Sequence, residues 1–267
     1  MSDMTLVIGS KSKSSWSLRP WLFLKHHAVP FKELVIDLDV GDSKAKILEH
    51  SPSGRVPVLK HGKRRVWESL AICEYCAETL ALPQAWPMDQ EARAYARSIA
   101  MEMHAGFADL RKEMPFSANR ETDVKVLSDA AMADVARVRT IWHEARVRFS
   151  RGGEWLFGRF GIADAMFAPV ALRFQQYSVA LDGPEREYMY NMLMHTAVQE
   201  WLDGAGAEGR GEGPLERTAE IRPKQLPPPA YEPDPNTEPI RAVKLPLAAA
   251  NPPSEPVKIR SVIMPPE

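Results

Sequence analysis

Residues 5–38 read TLVIGSKSKSSWSLRPWLFLKHHAVPFKELVIDL, and this stretch decides the fold. It opens with Thr5–Ile8, a short apolar run of the kind that forms buried strands. Ser17–His27 then carries apolar residues at helical spacing, and Phe31–Leu38 alternates apolar and polar residues as a half-buried strand does. This order predicts a β-α-β unit with parallel strands and a right-handed crossover.

The next part of the chain predicts a short helix, a hairpin and a longer helix. The short helix covers Ser43–His50, and the turn residues that follow it separate it from the hairpin. The hairpin pairs Val56–Lys60 with Arg64–Trp67, and the longer helix runs from Glu68 to about Ala81. Residues 1–81 are therefore expected to form an α/β domain.

Beyond residue 81 the pattern is helical throughout. A linker covers residues 82–89, and Asp89 is suited to cap a helix that continues to about Met114. Further helices are expected from about Thr122 to Phe149, from near Gly161 and from near Pro184. Residues 90–203 therefore predict an all-α domain.

Residues 204–267 differ in composition from the rest of the chain. They hold 14 of the 23 prolines but only one of the 22 aromatic residues, Tyr231. Glycine and proline together make up 19 of these 64 residues, a share typical of disordered segments. We expect a disordered tail here. Pro228–Tyr231 matches a PPxY pattern and Val257–Val262 alternates like a strand, so a protein partner for the tail is one interpretation and chance is the other.

The overall composition excludes several classes of protein. Lys and Arg number 34 against 35 Asp and Glu, which argues against nucleic-acid binding. Two cysteines do not make a disulfide scaffold, and no apolar run is long enough for a membrane span. No basic segment precedes an apolar run at the start of the chain, so the protein is expected to be cytoplasmic.

The loop before the first helix carries candidate binding residues. Ser14, Ser15 and Ser17 flank Trp16 where a β-α unit presents free backbone N–H groups and the positive end of the helix dipole. Hydroxyl groups at this point can donate to an anion. The alternative interpretation is that these serines only cap the helix.

Two other pairs of residues also have both a structural and a ligand-binding interpretation. Pro57 is either an ordinary edge residue or a cis proline that exposes the Val56 backbone to an extended ligand. Glu68 and Ser69 stand where a strand gives way to a helix. They either cap that helix or bind the head group of an α-amino acid with a carboxylate, a hydroxyl and open N–H groups.

Together these features resemble the glutathione transferase family over residues 5–203. Ser14–Arg19 is similar to the serine motif of the zeta class and related bacterial members, with Trp16 where zeta enzymes have cysteine. Val56-Pro57 is similar to the family's cis-proline turn, and Glu68-Ser69 to its acidic-Ser pair. Gly158–Asp164 resembles the motif that starts a helix of the second domain, where Asp164 serves folding. The resemblance implies a thioredoxin-like N-terminal domain, an all-α C-terminal domain and a homodimer.

The resemblance also implies the residues of the site. Ser14, or else Ser15, would donate a hydrogen bond to the glutathione thiolate, while Arg19 would brace the motif. The residues implied to bind glutathione are Ser14, Trp16, Arg55, Val56, Pro57, Glu68 and Ser69. Met103, His104 and Phe107 would line the pocket for the electrophile, unless they only pack in the core.

Cys73 and Cys76 form a CxxC pair that has a redox or metal alternative. They fall on the apolar side of a later helix, whereas a thioredoxin-like pair stands at the start of the first one. No histidine accompanies them at zinc-finger spacing. We therefore interpret them as buried, inert cysteines and expect no metal.

The function indicated is that of a glutathione transferase, a detoxification enzyme with glutathione as its co-substrate. A serine hydroxyl would activate the thiol as thiolate for attack on a small apolar electrophile. One alternative is a non-catalytic member that binds glutathione or mediates protein contacts. A further alternative is a glutathione-dependent isomerase, similar to maleylacetoacetate isomerase, or a peroxidase.

Overall fold

The computed structural model describes residues 3–82, 84–118 and 126–210. The chain begins with strand β1, Met4–Gly9, helix α1, Ser15–His26, and strand β2, Lys32–Ile36. Strands β1 and β2 pair in parallel, with Leu6 opposite Glu33 and Ile8 opposite Val35. The predicted β-α-β unit is therefore confirmed.

The sheet is completed by the predicted hairpin. Helix α2, Ser43–His50, precedes strands β3, Val58–His61, and β4, Arg64–Trp67, and helix α3, Ser69–Thr79, follows them. The strand order is β2-β1-β3-β4, and β3 is antiparallel to both of its neighbours. This mixed sheet with its flanking helices is a thioredoxin-like domain, as expected.

The two faces of β1 are buried against different partners because side chains alternate along a strand. Leu6 and Ile8 belong to the large core that includes the apolar side chains of α1 and α3. Val7 points to the other face, where it packs with Ile36 and Val58 beside α2. The central strand is therefore covered on both sides, which holds the loop at its end in a defined place.

Six helices follow in the described part of the chain. They are α4, Gln90–Ala105; α5, Ala108–Glu113; α6, Asp129–Phe149; α7, Ile162–Gln176; α8, Gly183–Met194; and α9, Thr196–Gly209. Helix α7 is buried along nearly its whole length and packs against α1, α3, α4 and α8. The all-α half and the thioredoxin-like half therefore share one apolar core.

The start of α7 confirms the structural role predicted for Asp164. Its carboxylate accepts hydrogen bonds from Gly161 N at 2.9 Å and from Leu156 N at 3.1 Å. Complete burial raises the pKa of Asp164 to about 7, against the opposing effect of these hydrogen bonds. Asp164 thus ties the preceding loop to the first turn of the most buried helix.

Two predicted helices have different limits in the structure. The helix expected to reach Met114 ends at Ala105, because Phe107 adopts a left-handed conformation with φ 61° and α5 starts anew after it. The start predicted at Thr122 lies outside the described residues. Within them, Ser128 caps α6 by accepting a hydrogen bond from Ala131 N.

The predicted tail starts too early at residue 204. Helix α9 continues to Gly209, since Ala205 and Ala207 are buried in the fold and Glu208 bonds to the other half of the protein. The boundary predicted from the glycine content is therefore six residues too early. Residues 211–267, with the PPxY pattern and Val257–Val262, lie outside the described part of the chain.

None of the helices in the described ranges combines enough length with enough apolar character to cross a lipid bilayer. Over the same residues, the His, Cys, Asp and Glu side chains form no cluster of three or more that fits a metal ion.

Candidate functional site

A cavity of about 280 Å³ lies where the thioredoxin-like half meets α4, and we call it the site cavity. Four separate segments contribute to it: the start of α1, the turn before β3, the junction of β4 with α3, and the end of α4. Its lining residues are Trp16, Ser53, Arg55, Val56, Pro57, Glu68, Ser69 and His104. Seven of these eight were singled out in the sequence, and Ser53 was missed.

The serines before α1 are held in a tight local network. Ser14 is the N-cap of α1, and its hydroxyl accepts a hydrogen bond from Ser17 N. The hydroxyl oxygens of Ser14 and Ser17 are 2.7 Å apart, and Gly9 N donates to Ser17 Oγ. Ser15 Oγ instead accepts from Arg173. Ser14 and Ser15 are both buried and do not line the site cavity, whereas Trp16 does.

The turn before β3 brings three predicted residues to the cavity. The Val56–Pro57 peptide bond is cis, as the resemblance implied. Strand β3 begins only at Val58, so the Val56 backbone stands before the first paired residue of the strand. Arg55 is exposed beside it, and its backbone N–H donates to Ser51 Oγ. The turn therefore presents both a backbone edge and a cation.

The junction of β4 with α3 is a strained point of the backbone. Glu68 has φ 69° and ψ 127°, a conformation that a residue with a side chain rarely adopts. Such residues cost about 1–3 kcal/mol and cluster at functional sites. Ser69 is the first residue of α3, and its buried hydroxyl has no hydrogen-bond partner among the described residues.

His104 connects the end of α4 to this junction. Its Nε2 lies 3.6 Å from a carboxylate oxygen of Glu68, and its ring meets the Trp16 ring edge-on at 5.5 Å. Burial lowers the pKa of His104, Glu68 opposes that shift, and Arg19 and Arg111 add to it. The imidazole is therefore neutral at neutral pH, and its buried Nδ1 has no partner in the described part of the chain.

Met103 and Phe107 do not reach the site cavity. Met103 is fully buried in the core, because it lies on the face of α4 that packs against α7. Phe107 is also buried, and the break in the helix at Gly106 changes its direction. Of the three residues predicted for the electrophile pocket, only His104 is at the cavity.

A cluster of three arginines lies beside the start of α1, with two of them, Arg19 and Arg111, against the Trp16 ring, and sequence reasoning missed it as a group. Arg19, Arg111 and Arg173 lie far apart along the chain, and no spacing pattern connects them. Arg19 donates to the Met166 carbonyl oxygen at 3.0 Å and Arg173 to that of Met114 at 2.8 Å. Burial lowers the pKa of all three, and repulsion among them adds to the shift for Arg19 and Arg173.

The two cysteines are placed as predicted. Cys73 and Cys76 are free thiols on the buried side of α3. Burial raises the pKa of Cys73 well above its ordinary value and that of Cys76 to about 12. Thiols in this state are poor nucleophiles and poor metal ligands.

A larger cavity of about 510 Å³ lies away from these residues. It opens between the segment 84–89, the end of α6 and the start of α7. It contains none of the residues predicted to bind glutathione or the electrophile, so size does not identify the site here. Seven of the residues predicted from the sequence converge at the smaller cavity, which makes it the candidate site.

Known proteins agree with this architecture. Residues 13–79 match the family model described as "Glutathione S-transferase, N-terminal domain". A probable maleylacetoacetate isomerase of Caenorhabditis elegans is 34% identical over 41% of this chain and 51% of its own length. A maleylacetoacetate isomerase of Rhizobium meliloti is 36% identical over 34% of this chain and 46% of its own length. The chain thus spans about half the length of these two relatives.

The fold extends beyond the N-terminal match. The solved structure of a glutathione transferase homolog from Burkholderia, with bound glutathione, superposes with a TM-score of 0.57 at 24% identity. That superposition covers 77% of this chain and 99% of the other. Over residues 13–79 the chain therefore matches the glutathione S-transferase N-terminal domain, and its two-part fold is that of a solved glutathione transferase homolog.

Proposed function

We propose that the protein is a glutathione-dependent enzyme that binds glutathione in the site cavity and activates its thiol. One observation carries this proposal: seven residues chosen from the sequence, from four separate segments, line a single cavity. The reacting sulfur would lie toward the start of α1, where Trp16 lines the cavity and the serine network adjoins Trp16 in the chain.

Each part of the tripeptide has a chemically matched group. Glu68 and Ser69 supply a carboxylate, a free hydroxyl and the start of α3 for the α-amino and α-carboxylate groups of the γ-glutamyl residue. The Val56 backbone is suited to pair with the cysteinyl residue. Arg55, exposed at the other side of the turn, is suited to the glycine carboxylate.

Ser14 is the proposed donor to the thiolate. Lowering a thiol pKa from about 8.5 to about 6.5 requires about 2.7 kcal/mol of preferential thiolate binding. A hydrogen bond to a charged group contributes roughly 1.5–3 kcal/mol and a helix N-terminus about 0.3–1 kcal/mol more. Ser17 holds the Ser14 hydroxyl in place, since Ser14 Oγ accepts from Ser17 N and donates to Ser17 Oγ. The Ser14 proton would turn from Ser17 Oγ to the thiolate when glutathione binds. Ser15 is the second choice, because Arg173 already bonds to it.

A second candidate is glutathione-dependent isomerisation of an anionic substrate. The curated relatives above are named as maleylacetoacetate isomerases, whose substrate carries carboxylates. The arginine cluster favours this candidate over a small apolar electrophile, because Arg19 and Arg111 place their guanidinium groups 4.0 Å and 4.9 Å from the Trp16 ring centroid. Comparing turnover of 1-chloro-2,4-dinitrobenzene with that of a cis-unsaturated keto acid separates the two.

The deciding experiment measures glutathione affinity and the thiol pKa of bound glutathione in wild type, Ser14→Ala and Ser128→Ala. Ser128 is the matched control, since it caps α6 by the same kind of bond and no residue of α6 lines the cavity. We expect both variants to lose about 1 kcal/mol of stability. Only Ser14→Ala is expected to raise the thiol pKa.

Three results would change the proposal. No glutathione binding by the wild type would favour a structural member of the family. Binding with an unperturbed thiol pKa would identify a non-catalytic binder. A lowered pKa that survives in Ser14→Ala would move the donor role to Ser15 or Ser17.

A further inference from the structure

The loop that carries Ser14 is bonded to α9, the last helix within the described residues. Glu208, near the end of α9, accepts a hydrogen bond from Lys11 N at 2.8 Å with one carboxylate oxygen. Its second oxygen accepts from Ser12 N at 3.0 Å. The two segments are separated by almost 200 residues of sequence, so only the tertiary fold brings them together.

The carbonyl groups of the same two residues are also bonded to the all-α half. Trp201 Nε1 donates to the Lys11 oxygen and Ala118 N donates to the Ser12 oxygen, each at 2.9 Å. Every backbone polar group of Lys11 and Ser12 is therefore satisfied from outside the thioredoxin-like half. Because backbone groups that lose their partners in a part-buried place are costly, the loop has little freedom to move while α9 is in place.

The Lys11 side chain does not take part in this contact. Its ammonium group pairs with Glu33 at 2.8 Å and lies over the rings of Trp21 and Trp201. The Glu208 carboxylate is thus bonded to two peptide N–H groups, which fix the orientation of the loop relative to α9 as well as the distance between them. An ordinary surface ion pair between two flexible side chains would fix neither.

We propose that Glu208 is a positioning residue for the thiol-activating serine. The turn from Ser10 to Ser14 connects the residues that Glu208 binds to Ser14, since Lys13 N and Ser14 N both donate to the Ser10 carbonyl oxygen. Holding Lys11 and Ser12 therefore sets where Ser14 starts α1. This inference rests on the proposed function, because it concerns the same serine.

The test compares Glu208→Gln and Glu208→Asp with wild type. Glutamine keeps the length of the side chain but turns an N–H₂ group toward one of the two N–H donors. Aspartate keeps the charge but is one methylene too short to reach both. The matched control is Glu200→Gln, because Glu200 lies on the same helix and pairs with Lys25 of α1 at 2.7 Å without touching the loop. Glutathione affinity, the thiol pKa of bound glutathione and the thermal midpoint are measured for each.

We expect both Glu208 variants to raise the Kd for glutathione about tenfold, equivalent to about 1.4 kcal/mol, and to raise the bound thiol pKa. Glu200→Gln is expected to leave both unchanged at a similar thermal midpoint. A purely electrostatic role predicts that Glu208→Gln lowers the bound thiol pKa, since removing a negative charge favours the thiolate. It also predicts that Glu208→Asp, which keeps the charge, has no effect. Either of those results, or wild-type binding in both variants, overturns the inference.

The result also separates this inference from the proposed function. If the wild type binds glutathione with a lowered thiol pKa and the Glu208 variants do the same, only the positioning role fails. If the wild type does not bind glutathione, the proposed function fails before Glu208 is considered.

Discussion

The guanidinium group of Arg19 lies 4.0 Å from the centroid of the Trp16 ring, and its side chain is almost completely buried. No carboxylate in the described part of the chain forms an ion pair with it. Trp16 lines the site cavity, so this contact places a buried positive charge directly behind the wall of the site. A cation held this way costs stability, which is consistent with a role in binding.

The first prediction concerns Arg19 itself. Arg19→Lys keeps the charge but loses the planar stacking group, while Arg19→Met removes the charge and keeps most of the apolar length. We expect both variants to bind glutathione more weakly, because Trp16 loses its support. Since burial and two neighbouring arginines disfavour the cation, Arg19→Met should be more stable than Arg19→Lys by about 1 kcal/mol or more.

Urea unfolding at neutral pH measures the stability difference, and calorimetric titration with glutathione measures the affinity. Equal stability of the two variants would show that the charge of Arg19 is not a cost to the fold. Wild-type affinity in both would remove its proposed role behind Trp16.

The second prediction concerns Asp164. Asp164→Ala leaves two backbone N–H groups in the core without acceptors, so we expect a loss of about 2–5 kcal/mol at neutral pH. Asp89→Ala is the matched control, because Asp89 caps α4 near the surface. That variant should lose only about 1 kcal/mol. A similar loss in the two variants, measured by urea unfolding, would contradict the structural role of Asp164.

The third prediction is a pH effect at the contact between α1 and α9. His26 Nδ1 lies 2.9 Å from His195 Nε2, and His195 Nδ1 accepts from Ala197 N. His195 therefore carries its proton on Nε2 and donates it to His26, so both rings are neutral. Burial, then His195 and His27, lower the pKa of His26 to about 4.

The direction of the change in stability with pH follows from proton binding. Between pH 6.5 and 4 the unfolded chain binds a proton at His26 and the folded protein does not, so stability falls as the pH falls through this window. His26→Phe keeps a ring against Phe160 and should flatten the fall. The difference should be modest, because His26 is partly exposed. Thermal midpoints measured from pH 7 to pH 4 test this, and parallel profiles for the two proteins would contradict it.

The fourth prediction concerns truncation near the end of α9. A chain that ends at Arg210 keeps the Glu208 contact, and we expect it to bind glutathione as the full chain does. A chain that ends at Asp203 loses Glu208 together with the buried Ala205 and Ala207, and we expect weaker binding and a lower thermal midpoint. Equal binding by the two shortened chains would contradict the importance of these last residues of the helix.

Much of the site was predictable because its residues are local motifs. Val56-Pro57 and Glu68-Ser69 stand at boundaries between elements, where the sequence pattern changes, and both pairs line the site cavity. Ser14 was predictable as a helix cap for the same reason. The residues of the electrophile pocket were less predictable from the sequence. The direction of the Phe107 side chain depends on a break in the helix, and helical spacing does not reveal that break.

The amino-acid sequence by itself determined the order of the strands and of most helices, the two-part architecture and the motif residues of the site, but it did not predict α5 or α9 as separate helices. These depend on hydrophobic period, turn chemistry and capping, all of which act between residues close together in the chain. Only the tertiary structure decided that Arg111 and Arg173 lie close to Arg19, with Arg111 also against Trp16, and that Glu208 holds the loop before Ser14. Those contacts arise because the buried α7 and the end of α9 pack against the thioredoxin-like half, and no local pattern records which distant side chains such packing brings together.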